Sequence, residues 1–376
     1  MNEYVYFPVL KTRPSEIKAF SLLDEKIKDA ILPIIELTGA IGYTLPKTCK
    51  DESKRGIRVK GNINSKIEKI LSFMEDRRFI LDITDDDSLK YDGLSSSNGG
   101  LLDPADGYKS WISFLTQDSK FKELVIPTIQ FDSTQRVNVE KQIISLSKDF
   151  DTLSIKLPFD AGMETIEMIV SWIVRIIGSS KKLILIIDFG YAKSLDLTLE
   201  RIKNNFKKSS TLSNIKAVIP VSSSFPRFVN DVERPIKISE NSVYETLSSI
   251  LSSNNVYMGD FASLHPTKYE MGGGGWIPRI DYIITNEEGK PIFYDYKRGK
   301  NRNTSSEYVS IAQQIVASSD YKPINDIEIE GIKEIELKAQ DTSTGKSPSF
   351  WIAMRANIYM TLQVLYLKKD NHFLTL

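Results

Sequence analysis

The sequence predicts an α/β fold, a (β/α)8 barrel of TIM type over residues 1–265 with an α+β subdomain over 266–376 packed against it. Three observations lead there. Eight short β-branched runs alternate with longer stretches of helical period. The runs are apolar on both faces, which demands a parallel sheet covered by helices. Helix-to-strand joins are short and strand-to-helix joins long, as in barrels whose mouths are built by the latter loops. An open doubly wound sheet is the alternative, although no Gly-rich dinucleotide fingerprint follows the first run.

In chain order the runs are "YVYFPVL", "ILPIIEL", "FILDIT", "LVIPTIQF", "TLSIKLP", "LILIIDFG", "IKAVIPVSS" and "VYMGDFASL". Helical period predicts helices over 15–30, 64–77, 108–120, 134–150, 163–178, 197–207 and 241–253, with Ser15 and Thr134 as capping residues. The long loops are 38–62, 85–107 and 222–240. After Leu264 the alternation stops. Strands are expected over 280–285, 291–296 and 331–340, a helix near 307–318, and a closing segment "FWIAMRANIYMTLQVLYL". "MGGGGW" reads as a connector.

Composition narrows the function classes. The 376 residues carry 49 basic and 49 acidic side chains, which disfavours extensive duplex DNA binding. Cys49 is the only cysteine, so neither an intramolecular disulfide nor a thiolate metal cluster is available. "MNEYVYFPVL" lacks the basic start and apolar core of a secretory leader. Arg175 interrupts the most apolar stretch, "IEMIVSWIVRII", short of the ~20 residues a membrane span needs. Ile166, Ile169, Ile173 and Ile177 fall at helical spacing there, as in a buried helix, and a cytoplasmic location is expected.

Polar residues near the strand ends suggest the site. They are Lys11, Glu36, Asp82, Gln130, Lys156, Asp188, Ser222 and Asp260, with Arg13 and His265 just beyond. Carboxylates crowded at one mouth repel unless neutralised. Either Mg or Mn sits among Glu36, Asp82, Asp188 and Asp260, or Lys11, Arg13 and Lys156 neutralise them. As catalytic candidates Lys11, Glu36, Lys156, Asp188, Asp260 and His265 stand out, with Arg13, Gln130 and Ser222 for substrate. His265 suits acid–base work, or caps backbone before Pro266.

The stretch "IDYIITNEEGKPIFYDYKRGK" raises a third possibility. Asp281, then Asp295 and Lys297 across a hairpin-sized gap, have the order in which many nucleases present metal ligands and a lysine. Against this, "NEEG" is an ordinary hairpin turn, and the preceding Gly run supplies no helix with a further acid.

The opening "YFPVLKTRPSEIKAFSLLDEKIKDAILPIIEL", with "GDFASLHP", "PRIDYI" and "FWIAMRANIYMTLQ" later, resembles the beta protein family of phages and prophages. The resemblance spans the chain and carries over Lys11, Glu36, Asp260 and His265 as motif residues, and Arg298-Gly299 as the hairpin's usual ending. It implies a place among phage defence or exclusion genes, and a partner protein from such an operon, without implying a reaction. Three functions follow: a defence or exclusion protein with a ligand or partner site at the barrel mouth; a metal-dependent hydrolase of a nucleotide or phosphodiester; and the hairpin nuclease.

Overall fold

The computed structural model describes residues 3–43, 58–206, 212, 215–251, 255–267, 276–302, 304–321 and 327–376. Cys49 and the glycines of "MGGGGW" lie outside them. Each apolar run contains a strand: β1 Tyr6–Lys11, β2 Ile34–Leu37, β3 Phe79–Ile83, β4 Val125–Pro127, β5 Thr152–Pro158, β6 Lys182–Tyr191, β7 Ala217–Ser223 and β8 Met258–Asp260. Between them run α1 Pro14–Ser21, α2 Ser65–Met74, α3 Ala105–Thr116, α4 Arg136–Asp149, α5 Met163–Ile177, α6 Leu195–Asn205 and α7 Glu240–Leu251.

Two helix starts differ from expectation. Pro14 opens α1, where its missing N–H costs nothing, so Ser15 lies inside the helix. Asp132 accepts the Thr134 amide at 2.8 Å, so the aspartate rather than the threonine ends that loop. The helix expected over 15–30 also divides, because Asp24 caps a second short helix, Glu25–Lys28. In α5 the isoleucines at 166, 169, 173 and 177 are buried as their spacing predicts. No described helix is long and apolar enough to cross a membrane.

The strands pair in parallel as two sheets, ordered β8-β1-β2-β3-β4 and β5-β6-β7. Parallel bridges join them at both gaps, Thr128 with Ser154 and Val218 with Val256. Alternate side chains then separate into two cores, because successive residues of a strand face opposite ways. Phe7, Val9, Ile34, Ile80, Ile126, Ile184, Ile186, Ala217, Ile219, Val221, Tyr257 and Phe261 pack together in one. Tyr6, Leu10, Ile35, Leu81, Leu153, Leu185, Val218 and Met258 belong to the other, shared with the helices.

Beyond residue 275 come the antiparallel hairpin β9 Arg279–Thr285 and β10 Pro291–Arg298, then α8 Glu307–Val316, α9 Glu330–Ala339 and α10 Pro348–Leu367. The strand expected over 331–340 is thus corrected to the helix α9. "IEL" alternates like a strand, but Glu, Lys and Leu favour helix, and Ile332, Ile335 and Lys338 recur every third residue. Gly331 belongs there because a Cβ would meet the Met354 carbonyl oxygen of α10 at 2.5 Å. Helix α10 is buried on nearly every side and packs on α1 and β9. Its Asn357 donates to the Ala19 carbonyl at 3.2 Å, tying it to the first helix.

Candidate ligand-binding site

The strand ends on the first core's parity carry a closed set of ion pairs. Lys11 follows Phe7 and Val9, Glu36 follows Ile34, Asp82 follows Ile80, and Asp188 follows Ile186, each two residues on. Lys156 Nζ lies 2.8 Å from Glu36, 3.0 Å from Asp82 and 2.7 Å from Asp85. Lys11 Nζ meets the other oxygen of Glu36 at 2.9 Å. Gln130 Nε2 donates to Asp82 at 3.1 Å.

The titration behaviour follows from these contacts. Burial pushes the Glu36 carboxyl up, but the ammoniums of Lys11 and Lys156 outweigh it and hold it at about 2. Burial raises Asp82, with Asp85 and Glu36 adding to it against Lys156. Asp188 accepts the Gly190 amide at 2.8 Å, and burial still lifts its carboxyl to about 6. Lys156 is raised well above the usual lysine range: its carboxylate neighbours overcome its burial.

The proposed metal set of Glu36, Asp82, Asp188 and Asp260 is not assembled. Lys156 occupies the point on which Glu36 and Asp82 converge, and Asp260 stands on the opposite strand parity. Among the described residues no three or more His, Cys, Asp and Glu are arranged to hold an ion. The residues therefore do not fit a divalent cation.

Asp260 is in the helix-facing core. It accepts from Tyr6, from Tyr359 of α10 at 2.9 Å and from the Ala262 amide at 2.7 Å. Burial without a cation, with Glu240 nearby, pushes it up to about 7 despite those bonds. Ser222 likewise falls on the opposite parity to Ala217, Ile219 and Val221, so it does not join the strand-end cluster.

Arg13 and His265 line a separate cleft of about 490 Å³ beside Lys11. Its walls are the loop after β7, the loop after β8, the start of β9, the end of β10 and about the first two turns of α10. The long loop at 222–240 does contribute to a cavity, as its length suggested: Phe225–Asn230 forms one side. Lys11 Nζ donates to the Pro266 carbonyl at 2.7 Å, connecting cluster and cleft. His265 Nδ1 accepts the Thr267 amide at 3.2 Å and its ring lies against Tyr191, which is the capping arrangement. Burial holds its pKa below the usual value, against the Thr267 contact, with Arg227 and Lys11 assisting.

Six arginines line the cleft: Arg13, Arg227, Arg279, Arg298, Arg302 and Arg355. Asp281 is the one carboxylate among the described lining residues, and two guanidiniums share it, Arg279 at 2.9 Å and Arg355 at 2.8 Å. Arg355 is buried, stacked 3.7 Å over Phe225, and burial lowers its pKa although Asp281 resists. Arg298 donates to Asn230 at 2.7 Å, a neutral partner. Gly299 follows because a Cβ would collide with Glu307, whose carboxylate accepts the Lys300 amide at 2.8 Å.

Sequence reasoning named Arg13 and missed the other five. Arg355 carried a signal, a charged residue in the middle of an otherwise apolar helix, since buried arginines are rare. The hairpin nuclease arrangement is corrected. Asp281 is opposite Tyr296 and Asp295 opposite Tyr282, so the two acids face opposite sides of the sheet. Asp295 is held by Arg234 and by the Tyr282 hydroxyl at 2.8 Å.

Fold and site together define an α/β protein with an arginine-lined cleft beside a neutralised lysine–carboxylate cluster. The chain belongs to the beta protein family, whose model matches residues 6–365. It is similar to Protein beta of Enterobacteria phage P4, 24% identical over 374 residues, covering 96% of this chain and 94% of that protein. It is also similar to the Bacillus cereus spore cortex-lytic enzyme SleL, with 11% identity, a TM-score of 0.36, and 95% and 75% of the two chains covered. A likeness that weak bears on neither fold nor chemistry.

Proposed function

We propose that this beta-family protein is the ligand-binding member of an anti-phage defence or exclusion module, and that it recognises a phosphate-bearing ligand in the arginine cleft. We also infer that its eight strands close as a (β/α)8 barrel; the parallel bridges at both gaps between the sheets support closure. The observation that carries the ligand reading is the charge count of the cleft, six guanidiniums against one carboxylate among the described lining residues. Arginine forks match phosphate oxygens, and a partly enclosed cleft strengthens each such contact.

The hydrolase reading is weaker. It needs carboxylates free to hold Mg or Mn, and Lys156 already engages Glu36 and Asp82. The place in a defence module rests on the family.

Calorimetric titration with inorganic triphosphate tests the ligand reading. Wild type should bind it, with affinity falling as salt rises, and the double variant Arg227→Ala/Arg298→Ala should lose about tenfold or more. The same variant should lose phage exclusion in a plaque assay. Unchanged triphosphate affinity in the variant would sink the proposal.

A further inference from the structure

We propose that the ligand is a nucleotide, its phosphates on the arginines and its base against an aromatic wall of the same cleft; this rests on the phosphate reading above. Trp276 and Tyr308 stack with ring centres 5.7 Å apart, 19° from parallel, and Tyr308 lies 5.6 Å from Trp351. All three rings line the cleft that the arginines line. Phe225, another lining aromatic, has its face taken by Arg355. Tyr308 and Trp351 are buried and Trp276 is half-buried, so Trp276 brings flat apolar surface into a cleft otherwise rich in charge, the combination a base linked to phosphates requires.

A second observation points the same way. The indole nitrogen of Trp351 and the hydroxyl of Tyr308 are buried with no hydrogen-bond partner. Buried donors without partners are rare and costly, so two in one wall call for an explanation. A purine or pyrimidine supplies it, because its edge carries carbonyl and ring-nitrogen acceptors alongside the face that stacks. A bare polyphosphate would satisfy the arginines and leave this wall unused.

Size and charge favour a single nucleotide over a strand. A cleft of about 490 Å³ lies within the range of small-molecule sites. The chain's formal net charge of +0 supplies no general attraction for a long polyanion, so the basic surface is local.

The test is titration of wild type, Tyr308→Phe and Trp351→Phe with inorganic triphosphate, with each of ATP, GTP, CTP and UTP, and with a ten-residue oligo(dT). Two of the four tryptophans line the cleft, so fluorescence reports occupancy alongside calorimetry. At least one nucleoside triphosphate should bind about tenfold tighter than inorganic triphosphate, the contribution expected of a stacked base. Each variant keeps an aromatic ring but removes the unpartnered donor, so it should weaken nucleoside triphosphate binding by about threefold to tenfold while its affinity for inorganic triphosphate stays within about twofold. Should Trp351→Phe fail to fold, Tyr308→Phe carries the comparison alone. Equal affinity for triphosphate and all four nucleotides overturns the nucleotide assignment and leaves the phosphate reading standing. Binding of neither removes the phosphate reading itself. Tighter binding of oligo(dT) than of any mononucleotide overturns the assignment in favour of a strand.

Discussion

Two charged regions lie side by side at the strand ends, joined by Lys11, and their charges are balanced in opposite ways. In the cluster, Glu36 and Asp82 each lie against Lys156, and Lys11 closes the set within 3.0 Å. In the cleft, six arginines face one described carboxylate. On the phosphate reading proposed above, the difference separates charges that hold a fold from charges placed to meet a ligand. A matched set is already in its low-energy arrangement, whereas a local excess of like charge favours the binding of an ion of opposite sign.

The largest expected effect tests the matched side. Lys156→Met would strand Glu36 and Asp82 without their shared cation and should destabilise by about 3–5 kcal/mol in urea denaturation. A loss under 1 kcal/mol would show that the cluster is not structural and would reopen it as a catalytic centre.

The next largest effect is in pH dependence, because two buried carboxylates are shifted in opposite directions. Asp260 is raised from 3.8 to about 7, so its contribution is complete below about pH 4 and is lost as pH rises through 7. Glu36 is lowered from 4.5 to about 2, so its contribution is present above about pH 4.5 and is lost as pH falls through 2. Asp260→Asn should therefore remove a fall in stability between pH 4.5 and 8 on the order of 3 kcal/mol. Parallel curves for wild type and variant, measured by denaturation at several pH values, would contradict this.

Asp295→Asn should cost about 1 kcal/mol or less, since its pair with the part-exposed Arg234 is screened by solvent. The smallest effect is expected on the unmatched side: Arg298→Ala should shift the unfolding free energy by no more than about 0.5 kcal/mol while weakening triphosphate binding. If stability falls in step with binding, the arginines are structural and the contrast between the two regions collapses.

Much of the scaffold was legible in the sequence because buried parallel strands are apolar throughout, and all eight runs hold strands. The cluster was legible too, since Lys11, Glu36, Asp82, Lys156 and Asp188 each sit at a strand's carboxyl end. Asp260 was misplaced for want of the parity test: Tyr257 and Phe261 face one core, Met258 and Asp260 the other. The arginine cleft was nearly invisible, because residues 13, 227, 279, 298, 302 and 355 share no local pattern and meet only through long-range packing. The helix α9 was misread where a short alternation outweighed helix-forming composition.

Helix α10 has a consequence for synthesis. Its side chains fill the core against α1, and Asn357 bonds to the Ala19 carbonyl, so segments more than 300 residues apart complete each other. On a ribosome adding about 5–20 residues per second, the apolar face of α1 waits on the order of half a minute for that partner. The part of α1 that α10 covers stays uncovered for that interval, so a cell making this protein quickly should need chaperone capacity in proportion to its rate of translation.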